Sequence, residues 1–270
     1  MRGLTVLVTG ASSGIGAATA VEAGRLGATV IAVARRADLL DGVVGRINAS
    51  AGMAASYPCD LTQPDRVAAM VELILQRHQT VDVLVNNAGR SIRRSIPASW
   101  NRIHDFERTM AINYLAPVRL TMALLPHMVA AGSGHIVNVT TAGVQLRTPK
   151  FAAYISSKTA LDTFGRIVAR EMRADGITVS NVRMPLVRTD MIAPTEMFAN
   201  VPALLPADAA RIVIRAAEDR PISINRVGPT LFELLSIAAP KLAETMSHRS
   251  SRRLPDSRAA TASSSGSELR

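Results

Sequence analysis

Short apolar runs alternate along this chain with longer segments in which apolar residues return every three or four positions. Leu4–Val8 is apolar or β-branched throughout, the pattern of a strand buried on both faces. An alanine-rich helical pattern follows to about Leu26, then a second strand at Thr29–Ala34 and a helix to about Ser50. A short strand near Ala54–Cys59, a helix from about Gln63 to His78 and a fourth strand at Val81–Val85 come next. Ile103–Ala130 reads as one long helix and His135–Val139 as a fifth strand. A further helix leads to a sixth strand at Ile177–Val182. Ala207–Asp219 reads as a helix and Ile222–Val227 as an edge strand. Leu231–Met246 reads as an amphipathic helix, placed to cap the fold, contact a partner subunit or lie on a membrane surface. Strand and helix alternate throughout, which predicts an α/β fold: a doubly wound, Rossmann-type parallel sheet with helices on both faces. Residues 1–247 are expected to form this single domain. Residues 248–270, rich in Ser, Ala and Arg without an apolar period, read as a disordered basic tail.

Composition narrows the function classes. The net charge of +10 comes almost wholly from arginine. These arginines are dispersed and no nucleic-acid motif accompanies them, so nucleic acid is not an expected partner; a basic surface also suits anionic cofactors and substrates. The single cysteine, Cys59, precludes an intramolecular disulfide. Strand pattern begins at Leu4, leaving no room for a signal peptide, and no apolar stretch reaches the ~18 residues of a membrane span. The expected location is the cytoplasm. No metal-ligand set is assigned.

Three stretches carry chemistry. Strand one ends in Thr9-Gly10-Ala11-Ser12-Ser13-Gly14-Ile15-Gly16 and a helix follows. A glycine turn between strand and helix lets the backbone approach a pyrophosphate, which the N–H groups of the helix start then face. Strand two ends in Arg35-Arg36, where an acid would mark NAD; two guanidiniums suit the 2′-phosphate of NADP(H). Tyr154 and Lys158 lie one helical turn apart, on one face. The ammonium is expected to lower the phenol pKa from about 10 toward the working pH, so that the tyrosine exchanges a proton with a carbonyl or alcohol oxygen.

The Thr-Gly-x-x-x-Gly-x-Gly turn, the Asn86-Asn87-Ala88-Gly89 turn and the Tyr-x-x-x-Lys pair resemble, in order and spacing, the short-chain dehydrogenase/reductase family, over about residues 3 to 230. The resemblance implies hydride transfer between a nicotinamide and a carbonyl or alcohol. It gives Asp60, with Leu61, to the adenine and Asn87, Ala88 and Gly89 to the cofactor channel. It places Gly10, Ser12, Ser13, Gly14, Ile15 and Gly16 around the phosphates. Tyr154 becomes the proton donor, and Lys158 its helper on the nicotinamide ribose. Asn113 supports a proton-relay water through its main-chain carbonyl, which Pro117, having no N–H, is expected to leave free. Where the family usually has serine, thirteen residues before the tyrosine, this chain has Thr141, which keeps the hydroxyl but adds a methyl; Thr140 is the fallback. Met184-Pro185 replaces the usual Pro-Gly, with Val187 and Thr189 expected at the cofactor.

Within the family, residues 86–94, 104–108 and 184–195 look most like the reductase domains of bacterial fatty acyl-CoA reductases. The segment from Asp190 to Pro206, rich in Met, Ile, Leu and Phe, would then cover a long aliphatic substrate, or pack on the core as two short helices. Arg90, Arg93 and Arg94 would meet a phosphate-bearing one, or form a solvated basic loop. The expected substrates are a long-chain acyl-CoA, fatty aldehyde or keto-lipid. A reductase of small polar ketones and a non-catalytic NADP-binding sensor or scaffold are the alternatives. The resemblance also implies a homodimer or homotetramer built through the long helices.

Overall fold

The computed structural model describes residues 1–193, 195–198 and 200–253. Seven parallel strands, β1 (Thr5–Thr9), β2 (Thr29–Ala34), β3 (Met53–Pro58), β4 (Val83–Asn86), β5 (Gly134–Thr141), β6 (Ile177–Met184) and β7 (Ser223–Ile224), lie in the order β3-β2-β1-β4-β5-β6-β7. The helices are α1 (Gly14–Arg25), α2 (Ala37–Ala49), α3 (Pro64–His78), α4 (Ile103–Met110), α5 (Ala116–Ala130), α6 (Gly143–Leu146), α7 (Ala152–Glu171), α8 (Pro206–Asp219), α9 (Val227–Ala238) and α10 (Pro240–Arg253). The chain winds outward from β1 to β3, returns to β4, and winds the other way to β7. The reversal leaves a crevice between the carboxyl ends of β1 and β4, where such sheets bind ligands.

Strand residues alternate between two cores. Val6, Val8, Val30, Val83, Val85 and Val137 face α1, α2 and α8. Leu7, Ile31, Leu84 and Ile136 face α3, α5 and α7. Because both faces are covered, the central strands lack the apolar–polar alternation of a half-exposed sheet.

Polar residues fix α7 to this sheet. Asn86, Asn138 and Asn181 are register neighbours on β4, β5 and β6. Asn86 Nδ2 donates to Asn138 Oδ1 (3.0 Å), Asn138 Nδ2 to Asn181 Oδ1 (3.1 Å), and Asn181 Nδ2 to the Asp162 carbonyl on α7 (2.7 Å). Gly165 makes the approach possible, since a Cβ there would lie 2.5 Å from Asn138 Nδ2. The Asp162 carboxylate accepts both arms of the buried Arg183 guanidinium, from Nε at 3.0 Å and Nη2 at 2.8 Å.

Four expectations are corrected. Ile103–Ala130 is not one regular helix: α4 and α5 are joined by a π turn at Ala111–Leu115, in which Ala116 N–H donates to the Ala111 carbonyl. Pro117 is the physical reason, because it removes an N–H from the α-helical ladder. The edge strand shrinks to two residues, and α9 already begins at Val227. The expected helix at Leu231–Met246 is two helices broken at Ala239, since Pro240 has no N–H and disfavours helical geometry in the residue before it. α10 continues to Arg253, six residues into the segment read as tail; residues 254–270 lie outside the described residues.

Candidate active site

The turn between β1 and α1 is shaped by residues that admit no side chain. Gly10 (φ +67°) and Gly14 (φ +56°) adopt left-handed backbone that only glycine takes without strain. A Cβ on Gly16 would lie 2.3 Å from the Gly10 carbonyl, so this glycine permits helix and strand to touch. Ser13, at the start of α1, makes no capping bond through its side chain. Instead, Arg36 Nη2 reaches over the turn and donates to Ser13 Oγ (3.0 Å) and Ser12 Oγ (3.4 Å). Ile15 packs on the core below. The result is a helix N-terminus with a guanidinium laid across it, a cradle for phosphate. Arg35 is exposed beside Arg36. Burial pushes the Asp60 carboxyl up, but hydrogen bonds from Thr62 and the charges of Arg35 and Arg66 outweigh it and hold Asp60 below its usual range. Leu61 next to it is buried.

Thr9 was not singled out in the sequence, yet it builds the opposite wall. Its buried hydroxyl donates to the Val85 carbonyl (3.1 Å) and accepts from the N–H groups of Asn87 (2.9 Å) and Ala88 (3.0 Å). Asn87 Nδ2 donates to the Thr9 carbonyl at 2.9 Å. One hydroxyl therefore pins the β4 turn against the glycine turn. The wall continues with Gly89, where a Cβ would stand 3.0 Å from Asn113 Oδ1 and 3.4 Å from Lys158 Nζ.

Asn113 lies in the π turn and is buried. Its side chain clamps the backbone of Arg90, accepting its N–H (2.8 Å) and donating to its carbonyl (2.9 Å). The same amide donates to Ser157 Oγ (2.9 Å), whose hydroxyl donates to the Tyr154 carbonyl (2.7 Å). Asn113 thus joins the β4 loop to the first turn of α7. Ser157 is a second residue that sequence reasoning passed over.

The Thr141 hydroxyl accepts the Gly143 N–H at 3.2 Å and lies close enough to the Tyr154 phenol to favour its ionised form. Thr140, the fallback, points away: its hydroxyl is buried and donates to the Val182 carbonyl (3.3 Å). Lys158 shares the buried face of α7 and donates from Nζ to the Val139 carbonyl (2.8 Å). The pKa expectation is corrected. Burial pushes the Tyr154 phenol up to about 12, opposed only by the neighbouring Thr141 hydroxyl, and drives the Lys158 ammonium down to about 8. Desolvation of both groups outweighs the cation–phenolate attraction that their spacing suggested.

The strand-six exit forms without the usual glycine. Met184 ends β6 opposite Thr141, and its carbonyl accepts the Ala142 N–H at 2.8 Å. Pro185 leads to Val187, buried and bridged to Leu204. The Thr189 methyl would lie 3.1 Å from a Cβ on Gly14, which sets Thr189 over the phosphate turn. Beyond it, Phe198 stacks on Phe151 (centroids 6.1 Å apart, planes 14° apart), and Phe151 meets the Tyr154 ring edge-on at 6.4 Å. The apolar segment therefore reaches the proton donor through a line of three rings. The arginine loop is partly corrected: Arg94 is not aimed at a substrate. Its Nε pairs with the buried Asp105 (3.2 Å), which also takes Arg102 (3.2 Å) and Arg108.

These residues fit a nicotinamide dinucleotide. There is a side-chain-free phosphate turn at a helix start, cations at the end of β2, and a half-buried Tyr154 one turn from a buried Lys158 whose ammonium faces Gly89. Comparison with known proteins agrees. The family described as short chain dehydrogenase matches residues 4–199. A fatty acyl-CoA reductase of Mycobacterium tuberculosis is 47% identical over 225 residues, covering 83% of this chain and 76% of that protein. A fatty acyl-CoA reductase of Acinetobacter baylyi is 43% identical over 237 residues, 88% of this chain and 79% of that one. Among solved structures, a metagenomic short-chain oxidoreductase in complex with NADP superimposes with a TM-score of 0.73 at 32% identity, covering 84% of this chain and 97% of that chain. A short-chain dehydrogenase from Streptomyces avermitilis does so with a TM-score of 0.77 at 33% identity, over 92% and 98% of the two chains. Motif, topology and site geometry thus converge with these matches, and the chain belongs to the short-chain dehydrogenase family.

Proposed function

We propose that this oxidoreductase uses NADP(H) to reduce a long-chain acyl-CoA or fatty aldehyde. The dinucleotide, when bound, supplies the hydride. The chain's own residues do the rest. Thr141 and Tyr154 converge on the substrate oxygen, and the Tyr154 phenol gives that oxygen its proton. Lys158, on the same face of α7, stabilises the phenolate left behind and binds the nicotinamide ribose. Asn113 holds the β4 loop and the start of α7 in register, and its carbonyl is assigned the relay water. For an aldehyde the balance is one hydride to carbon and one proton to oxygen, giving the alcohol. For an acyl-CoA, hydride addition followed by loss of the thiolate as CoA thiol gives the aldehyde.

Preference for NADP(H) over NAD(H) rests on Arg36 lying across Ser12 and Ser13 with Arg35 beside it, and on the absence of an acid at this strand end. The observation that carries the substrate class is the ring line Tyr154–Phe151–Phe198, which sets an apolar covering segment directly beside the proton donor. The fatty acyl-CoA reductases it resembles at 43–47% identity support the same class. The test is NADPH oxidation with acyl-CoA and aldehyde series of increasing chain length. Rates should rise with chain length; equal rates for short and long chains would exclude the lipid substrate. A cytoplasmic location and assembly into a homodimer or homotetramer through the long helices accompany this reading, and among the described residues no helix is long and apolar enough to cross a membrane.

A further inference from the structure

Helix α9 is built the wrong way round for a helix facing water. Its outward side carries Val227 (75% exposed), Leu231 (60%), Leu234 (57%) and Ile237 (72%), spaced four, three and three residues apart. These positions form one stripe along the helix. Its polar side chains are engaged by the body of the protein or by the helix itself. Glu233 accepts from Gln145 Nε2 at 2.7 Å and pairs with Arg183 at 3.6 Å, and the Ser236 hydroxyl bonds back to the Phe232 carbonyl. The one carboxylate of α9 is therefore spent on the protein interior, and the stripe is left purely aliphatic. It spans eleven residues, about 15 Å from end to end at the helical rise.

Cations border it. Arg226 is exposed at the N-cap of α9, and the adjoining α10 exposes Lys241 and Arg249, with the single carboxylate Glu244 between them, together with Leu242 and Met246. The whole chain carries +10. An aliphatic stripe with basic residues at its edges is the signature of a helix that lies in the headgroup region of a bilayer. A second copy of the chain fits less well. A two-fold contact through α9 would bring together two bodies that each carry a net charge of +10.

We infer that α9, flanked by the basic residues of α10, is a docking surface for an anionic phospholipid membrane. The contact is tied to the active site. Gln145, which holds Glu233 and also donates to Thr230 (3.2 Å), sits on α6 four residues after Thr141. Docking would therefore place the substrate side of the crevice near the lipid surface. The inference does not depend on the substrate proposed above, because membrane binding is read without turnover.

The test is co-sedimentation of the full chain with vesicles of equimolar phosphatidylglycerol and phosphatidylcholine, and with phosphatidylcholine alone. The chain should pellet with the anionic vesicles and less at high salt. The triple change Leu231→Ser, Leu234→Ser, Ile237→Ser should weaken binding more than about tenfold, since each aliphatic chain removed withdraws several methylene groups from the bilayer. All three positions are exposed, and circular dichroism with thermal melting checks that the fold persists. A second arm places an environment-sensitive fluorophore at Leu234→Cys. Cys59 is buried, which leaves the introduced thiol as the reactive one, and the fluorophore should shift blue on anionic vesicles. Failure to pellet, pelleting undiminished by the triple change, or a dimer that the triple change dissolves would each overturn the inference.

Discussion

The Thr141 hydroxyl stands beside the Tyr154 phenol, and it alone opposes the burial that pushes the phenol up to about 12. A neutral phenol beside a hydroxyl is a proton donor waiting for an acceptor. Tyr154→Phe should therefore lower kcat by at least about a hundredfold, the usual scale of lost general acid catalysis, while NADPH binding measured by fluorescence stays nearly intact. Thr141→Ser keeps the hydroxyl and should retain most activity. Thr141→Val removes it at nearly constant volume and should cost roughly tenfold or more in kcat, at about 1.4 kcal/mol per tenfold. Activity retained in Tyr154→Phe would refute the assignment.

Arg36 reads the phosphate turn with its own side chain. A charge-assisted hydrogen bond to a phosphate is worth about 1.5–3 kcal/mol. Arg36→Ala should accordingly raise the KM for NADPH about ten- to a hundredfold and leave that for NADH within about twofold. Replacing Arg35 by Asp as well should turn the preference toward NADH, since a carboxylate at this strand end binds a 2′-hydroxyl and repels a 2′-phosphate. Equal losses with both cofactors would mean that Arg36 shapes the turn without reading the cofactor.

The asparagine ladder predicts a coupling between sheet and catalyst. Asn138→Ala leaves Asn86 Nδ2 and Asn181 Oδ1 without their partners in a dry interior, at about 1–3 kcal/mol for each unsatisfied group. Urea unfolding should register that loss. Because the ladder ends on the α7 backbone at Asp162, kcat should fall with stability while KM for NADPH changes little. Gly165→Ala should act in the same direction, since its Cβ would drive into Asn138 and Asn181. Unchanged kcat in a folded Asn138→Ala protein would show that the ladder serves stability only.

Much of this molecule was legible before any coordinates. Strand runs such as Thr29–Ala34 match to the residue, because a strand buried on both faces has no polar positions to blur its ends. The glycine turn and the Tyr–Lys pair were legible because backbone approach and one-turn spacing are local properties. What escaped was decided at a distance. Thr9 and Asn86 were legible as members of their motifs, but what each bonds appears only when the β4 turn lies beside Thr9 and when Asn86, Asn138 and Asn181 take their register. The phenol's pKa escaped because spacing tells of a neighbouring charge but not of how much water burial removes. Pro117 was read as freeing the Asn113 carbonyl, but the π turn it leaves was not, and the break before Pro240 was masked by an amphipathic period that runs through it.

His135 offers a pH-dependent signature of the fold. It is wholly buried on β5. Nε2 lies 3.0 Å from the Ala216 carbonyl, which only accepts, so Nε2 carries the proton and Nδ1 accepts from the Thr178 hydroxyl at 2.8 Å. Burial, reinforced by Arg220, lowers its pKa from 6.5 to about 4. The unfolded chain therefore binds a proton near pH 6.5 that the folded chain refuses until about pH 4. Stability contributed by the neutral ring is intact above pH 6.5 and is lost as pH falls through this window, by about 3 kcal/mol at most. Urea unfolding at pH 7.5, 6 and 5 should show this decline, beyond what the carboxylates contribute at lower pH. His135→Gln keeps a donor for Ala216 but cannot be protonated; it should be less stable at pH 7.5 and should flatten the slope between pH 6.5 and 5. An unchanged slope in that variant would place the pH sensitivity elsewhere.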